Sequence, residues 1–289
     1  MTTPAELVAG LQHRHPWSLL VLGASDTGKT TLLESILRSW DSGEPLAVVD
    51  CDIGQSHVGP PTTVAWGLIE RPFTGWRQVQ AQGMAFTGDV SPEGNLEAFL
   101  DAVERMVERA RRQAARLVID TTGLVDGELG LALKRLKVER VRPDLIVALQ
   151  GEQELEPILS AVPAGTALER LAVSPDCARL TLPARAAYRD RQLVRYFVNS
   201  VTHDVSFDHL RWVGLGAEWA GRTVPCAPAA LMDRVIGLRT AQGEDVALGL
   251  VRDVDLERRR VALLTPARDV SAVTTIAVGS IRWPDTPQD

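Results

Sequence analysis

Trp17-Ser-Leu-Leu-Val-Leu-Gly23 runs directly into Ala24-Ser-Asp-Thr-Gly-Lys-Thr30, and Thr31-Leu-Leu-Glu-Ser-Ile-Leu-Arg-Ser-Trp40 follows. The first run is apolar and short enough for a buried strand. The last has helical spacing, and the loop between them fits GxxxxGK[ST] from Gly23 to Thr30. Strand, glycine-rich loop and helix form a cradle for a chain of phosphates. Gly23 and Gly28 permit backbone angles that aim successive N–H groups inward, and the helix N-terminus adds partial positive charge. The expected binding set is Gly23, Ala24, Ser25, Asp26, Thr27, Gly28, Lys29 and Thr30, with Thr31 next along the helix. Lys29 can reach the β- and γ-phosphates, and the Thr30 hydroxyl can ligate Mg²⁺.

Three further apolar runs, Leu46–Asp50, Arg116–Asp120 and Asp144–Gln150, alternate with amphipathic stretches. This pattern predicts an α/β fold with a mostly parallel sheet flanked by helices. Leu96, Phe99, Leu100, Val103 and Val107 recur at helical spacing and predict a helix over 95–115. After about Asn199 the sequence becomes β-branched and alternating, with turn signals at Gly243–Asp245 and Asp255–Arg259. We expect a P-loop domain over 1–199 and a small β-rich C-terminal domain over 200–289.

Composition narrows the class. The 289 residues are 45% hydrophobic and carry a net charge of −6, enough for a sizeable core and no general basic surface. Cys51, Cys177 and Cys226 are widely spaced, with no pairing that suggests zinc or a disulfide framework. No leader pattern opens the chain, and no apolar run approaches the roughly 20 residues a membrane span needs. The expectation is a soluble cytoplasmic protein with no membrane contact.

A phosphate loop needs acids at neighbouring strand ends to hold Mg²⁺ and its waters or to take a proton. Asp50 and Asp52 follow one apolar run, with Gln55 beyond them. Asp120, Thr121, Thr122 and Gly123 end another. Asp50 and Asp120 are candidate metal-site acids with Thr30, and Asp52 is a candidate base. Far downstream, Arg179, Arg185, Arg189, Arg191 and Arg195 crowd one stretch. Arg185 and Arg189, four apart, share a helix face. Guanidinium groups on a mobile segment could bind the charge of a transferring phosphoryl group.

The ordered motifs resemble the polynucleotide 5′-hydroxyl kinase family. That family includes kinases of ribosomal and transfer RNA processing and a subunit of the messenger RNA 3′-end cleavage machinery. Val48–Pro72 (VVDCDIGQSHVGPPTTVAWGLIERP) resembles its acid-x-acid-x-Gly-Gln segment. Phe86–Leu100 resembles its SPxGN region, and Asp120–Gln150 its TxG segment. Arg185–Phe197 resembles its arginine-rich lid, placed here near 179–197, and Ala247–Pro266 its C-terminal domain. The likeness spans about Trp17 to Trp283. It implies a Mg²⁺-dependent kinase using ATP, with GTP left open, acting on single-stranded or end-exposed RNA and, as a second class, DNA. It also implies roles: Lys29, Arg185 and Arg189 on the phosphoryl group, Asp52 on the attacking hydroxyl, and Gln55, Thr121, Thr122 and Leu124 toward the substrate.

Leu124 stands where the family has a tryptophan that clamps the nucleic-acid end. Trp66 and Trp76 are candidate substitutes. The chain also starts close to the P-loop strand, resembling a short form without the N-terminal domain of the eukaryotic relatives. Two rival readings remain open at this point: a catalytically inactive ATP-binding adaptor of an RNA-processing complex, and a metal-insertion or signalling NTPase. The sequence names no protein partner.

Overall fold

The computed structural model describes residues 4–12, 17–40, 43–214, 217–219 and 228–284; Cys226 and the end of the C-terminal tail lie outside them. The phosphate-loop strand, β1 (Trp17–Gly23), is buried at all seven positions. Such a strand must have neighbours on both edges and cover on both faces. Both edges are paired in parallel, with β5 (Arg116–Ile119) on one side and β6 (Leu145–Gln150) on the other. β2 (Leu46–Asp50) extends the parallel array beyond β5, and β7 (Ala167–Ala172) extends it beyond β6. The expected α/β class with a mostly parallel core is borne out.

Helices cover the two faces. On one face, α3 (Leu96–Gln113) and α4 (Gly127–Val141) close a cluster that contains Leu20, Val49, Phe99, Val103 and Leu133. On the other, α1 (Pro4–Gln12) and α2 (Lys29–Ser39) close a cluster with Leu19, Val21, Leu33, Ile36 and Val48. Alternate residues of β1 thus feed opposite cores, as the period of two requires. The expected 95–115 helix begins one residue later because Asn95 caps it, its side chain accepting from the Ala98 N–H at 3.0 Å.

Beyond β2 the sheet changes direction. β3 (Thr63–Leu68) and β4 (Gly83–Phe86) add antiparallel strands. β12 (Asp245–Asp255) then joins β4 through the Asp245–Met84 register pair, so the sheet continues into the C-terminal strands. These are β8 (Val201–Ser206), β9 (Arg211–Gly214), β10 (Ala217–Trp219), β11 (Arg234–Thr240), β13 (Arg260–Thr265) and β14 (Val273–Arg282). The β11–β12 and β12–β13 hairpins turn at the two expected places. Two short helices, α5 (Glu156–Leu159) and α7 (Pro228–Leu231), complete the set with α6 (Leu182–Phe197). The arginine-rich segment is this last helix. Leu193 and Phe197 anchor it on Phe86, Val235 and Leu248, and its opening turns reach the phosphate loop.

Candidate active site

The carboxyl ends of β1, β2 and β5 converge on one cleft. Gly28 sits at φ +88, a conformation glycine adopts without a Cβ penalty, and hands the loop into α2. The Lys29 ammonium is buried and donates to the carbonyls of Gly23 at 3.1 Å and Ala24 at 2.7 Å. Burial lowers its pKa, opposed in order by the charges of Asp120, Asp52 and Asp26, while Arg185 lowers it further. Four sequence-predicted groups, Asp120, Asp52, Asp26 and Arg185, therefore act on one ammonium. Thr27 closes the loop by donating to the Ala24 carbonyl, and Thr31 is exposed on α2.

The acids divide their labour in a way the sequence left open. Asp50 is buried, and its carboxylate accepts from the N–H groups of Asp52, His57 and Val58 at 2.9, 2.5 and 2.8 Å, and from Ser56 Oγ. It organises the loop between β2 and β3. Asp52 uses one oxygen to hold the turn at Gly54 and Gln55, and its Oδ2 has no protein hydrogen bond among the described residues. Asp120 likewise commits Oδ1 to the Thr121 N–H, at 2.7 Å. Burial raises the pKa of both Asp50 and Asp120, and the repulsion of neighbouring carboxylates adds to it. Such a site carries negative charge that a cation would relieve.

The donor set is hard oxygen, the Thr30 hydroxyl and Asp120; Asp50, the other acid expected at the metal, has both its oxygens committed to the loop. Among the described residues no group of three or more His, Cys, Asp or Glu forms a cage. Sparse oxygen ligands beside a phosphate loop fit Mg²⁺, which takes its remaining ligands from phosphates and water.

The residues of the β5 turn expected toward the substrate make protein contacts of their own. The Thr121 hydroxyl donates to the Val21 carbonyl at 2.8 Å, tying β5 to β1 rather than facing the cleft. Thr122 accepts from the fully buried Lys134 ammonium through both its carbonyl and its hydroxyl. Leu124 is half-buried and packs on the cluster under α3 and α4. Gly123 approaches Ser25 so closely that a Cβ would lie 2.3 Å from Ser25 Oγ. Only glycine lets this turn abut the phosphate loop.

Sequence reasoning missed His57. Its Nε2 lies 3.3 Å from Thr30 Oγ1 and its Nδ1 3.0 Å from the Tyr188 hydroxyl, so it bridges the phosphate loop and α6. Its ring stacks on Trp76 with centroids 5.0 Å apart. Tyr188 also donates to the Ser56 carbonyl, and Gln55 donates to the Arg185 carbonyl at 3.3 Å. On the same helix Arg185 pairs with Asp26. Arg189, one turn on, is half-buried with no described partner. The only sequence signal for His57 was its place inside the loop after Asp52.

Residues 23–199 match the family described as the mRNA cleavage and polyadenylation factor CLP1 P-loop. The chain belongs to this CLP1 P-loop family. It is similar along its length to a polyribonucleotide 5′-hydroxyl-kinase of Thermococcus kodakarensis, 31% identical over 93% of this chain and 89% of the relative. The Pyrococcus furiosus protein of the same description is 27% identical over 94% of this chain and 89% of the relative. A CLP1 homologue of Drosophila melanogaster is 27% identical over 86% of this chain and 68% of its own length. Among solved structures, Clp1p in the Clp1p–Pcf11p complex superposes with a TM-score of 0.77 over 96% of this chain and 77% of that one. At 13% identity this likeness speaks for the fold alone. Among the described residues no helix is long and apolar enough to cross a membrane.

Proposed function

We propose that this member of the CLP1 P-loop family is a polynucleotide 5′-hydroxyl kinase. It moves the γ-phosphoryl group of ATP to the 5′-hydroxyl of single-stranded or end-exposed RNA, and also of DNA, in the cytoplasm. The carrying observation is the phosphate loop with Lys29 buried inside it and Arg185 of the arginine-rich helix brought onto Asp26 of that same loop. The archaeal relatives named polyribonucleotide 5′-hydroxyl-kinase support the same reading.

The backbone N–H groups from Gly23 to Thr30 cradle the phosphates, and Lys29 turns from the loop carbonyls to the γ-phosphate. Thr30 and Asp120 would hold Mg²⁺, which would supply charge neutralisation to the phosphates. Asp50 keeps the Asp52–Val58 loop in place, so that Asp52 Oδ2 meets the acceptor hydroxyl. The hydroxyl oxygen forms a bond to the γ-phosphorus as the bond from that phosphorus to the bridging oxygen breaks. The hydroxyl proton passes to Asp52 and ADP leaves. Arg185 and Arg189 bind the equatorial oxygens and, with α6, exclude water that would otherwise hydrolyse ATP.

Incubation with γ-labelled ATP or GTP and 5′-hydroxyl oligonucleotides tests this. Label should appear on the 5′ end of RNA and, more slowly, DNA, with ATP the better donor. Tight ATP binding by folded protein with no transfer to any oligonucleotide would leave the adaptor reading in its place.

A further inference from the structure

A cavity of about 670 Å³ lies between the loop that precedes β3, the β3–β4 connection with the start of β4, the second half of α6 and the start of β12. His57 forms part of its wall, and the Nε2 of this same residue lies 3.3 Å from Thr30 Oγ1. The cavity therefore begins one side chain away from the hydroxyl assigned to Mg²⁺. It lies on the β2–β3 side of the phosphate loop, the side from which Asp52 enters. Its volume falls within the roughly 300–1,000 Å³ that small organic ligands fill, room for one or two nucleotides.

The wall chemistry is that of a single-strand site. Trp76 lines the cavity and stacks on His57, giving a two-ring aromatic surface. Gln82 and Gln192 present amides that can hydrogen-bond base edges. The acids present are already neutralised: Glu244 pairs with Arg109, and Asp245 pairs with Arg239. Arg195 is exposed at the rim with no carboxylate partner among the described residues. An aromatic surface beside an uncommitted guanidinium suits a base and its phosphate. The other tryptophan singled out above does not compete. Trp66 is sheet core at 5% exposure, its indole lying against Gly83.

We propose that this cavity holds the nucleotides immediately behind the reacting 5′ end, with Trp76, backed by the His57 ring, stacking a base and Arg195 binding the phosphate beside it. The inference rests on the kinase reading above. It gives Trp76 the gripping role for which Leu124 lacks an aromatic ring.

The test uses 5′-hydroxyl oligoribonucleotides carrying 4-thiouridine at the first, second or third position, bound to the intact protein with a non-hydrolysable ATP analogue. Crosslinks from the second or third position should map to the segment between His57 and Trp76 or to the end of α6. By fluorescence anisotropy, Trp76→Ala should weaken oligonucleotide binding about ten-fold and Trp76→Phe less than about three-fold. Arg195→Ala should weaken it several-fold and reduce the salt dependence by about one counterion. Binding of the ATP analogue should stay unchanged in all three. Should Trp76→Ala fold poorly, Arg195→Ala, altered on an exposed helix face, and the crosslinks on unaltered protein decide the matter. Crosslinks confined to the Leu124 turn, or wild-type oligonucleotide affinity in folded Trp76→Ala or in Arg195→Ala, overturn the proposal. Crosslinks at Trp76 without phosphoryl transfer would sink the kinase reading and leave the site. Transfer with crosslinks only around Leu124 would do the reverse.

Discussion

Arg185 on α6 donates to the carboxylate of Asp26, inside the phosphate loop, at 2.6 Å. Asp26 also accepts from the Leu180 N–H at 3.1 Å, so one loop carboxylate fixes the start of the lid helix. A guanidinium bound to a carboxylate is poised to exchange it for a phosphate, since each anion presents two oxygens that the guanidinium fork can bind. Arg185→Ala should leave ATP affinity within a few-fold and lower kcat by about 10³-fold, the range of arginines that meet a transferring phosphoryl group. Asp26→Asn should tighten ATP binding, because a competing anion is removed. Isothermal titration beside steady-state kinetics reads both. Weaker ATP binding by Asp26→Asn would mean that the carboxylate shapes the loop instead of competing with the nucleotide.

Asp50 and Asp52 are two residues apart and should fail differently. Asp50→Ala leaves the N–H groups of Asp52, His57 and Val58 without their acceptor. A cost of about 1–3 kcal/mol for each buried donor left unpaired predicts a large fall in Tm. Asp52→Asn keeps an oxygen for the turn and should leave Tm nearly unchanged, while kcat drops about 10²- to 10⁴-fold through loss of the proton acceptor. Thermal melts and single-turnover kinetics separate the two.

The pH dependence of metal binding follows from Asp120. Burial, reinforced by Asp50, raises its pKa and keeps a fraction protonated near neutrality. A cation favours the ionised form, so Mg²⁺ and the proton compete. Affinity for Mg²⁺ with ATP should rise from about pH 6 to about pH 8, with protons released on binding. In Asp120→Asn that rise should flatten and affinity should be low throughout. Calorimetry in buffers of different ionisation enthalpy counts the protons; no release in the wild type would remove Asp120 from the metal site.

Two lysines on α4 give opposite stability predictions. Lys134 donates to Thr122, whereas Lys137, equally buried, has no hydrogen-bond partner among the described residues and lies over the Phe99 ring at 4.7 Å. Lys134→Met strips the Thr122 carbonyl of its donor and should destabilise by about 1–3 kcal/mol. Lys137→Met should be neutral or stabilising by a similar amount, since it removes a desolvated polar group with nothing to satisfy it. Burial depresses the pKa of Lys137. The unfolded chain then binds a proton that the folded one releases, and wild-type stability climbs with pH until the unfolded lysine titrates near about 10.4. Lys137→Met should reduce that slope. Denaturant melts between neutral and alkaline pH measure it.

The strand, loop and helix around Lys29 were legible because each is encoded locally, by an apolar run, by glycines and by helical spacing. So were α3 and the two C-terminal hairpins. The partition of roles among the acids was not. Asp50 and Asp120 look alike in sequence, each closing an apolar strand, yet only the path of the following loop decides whose oxygens are consumed. Thr121 was expected to face the cleft, but its hydroxyl found the Val21 carbonyl on the neighbouring strand. His57 carried no signal beyond its place in the loop after Asp52. Its importance arises from Thr30, Trp76 and Tyr188, which lie 27, 19 and 131 positions away in the chain and meet only when the sheet is built.

The helix α6 is a single uninterrupted rod from Leu182 to Phe197. Arg185 meets the phosphate loop near one end and Arg195 borders the cavity near the other, about 15 Å apart at 1.5 Å per residue. The walls below it are bolted together by the Asp245–Met84 pair and by the Asp245 bond to the Phe86 N–H. One rigid element thus borders both halves of the proposed site, so a displacement at the donor end would be felt at the acceptor end.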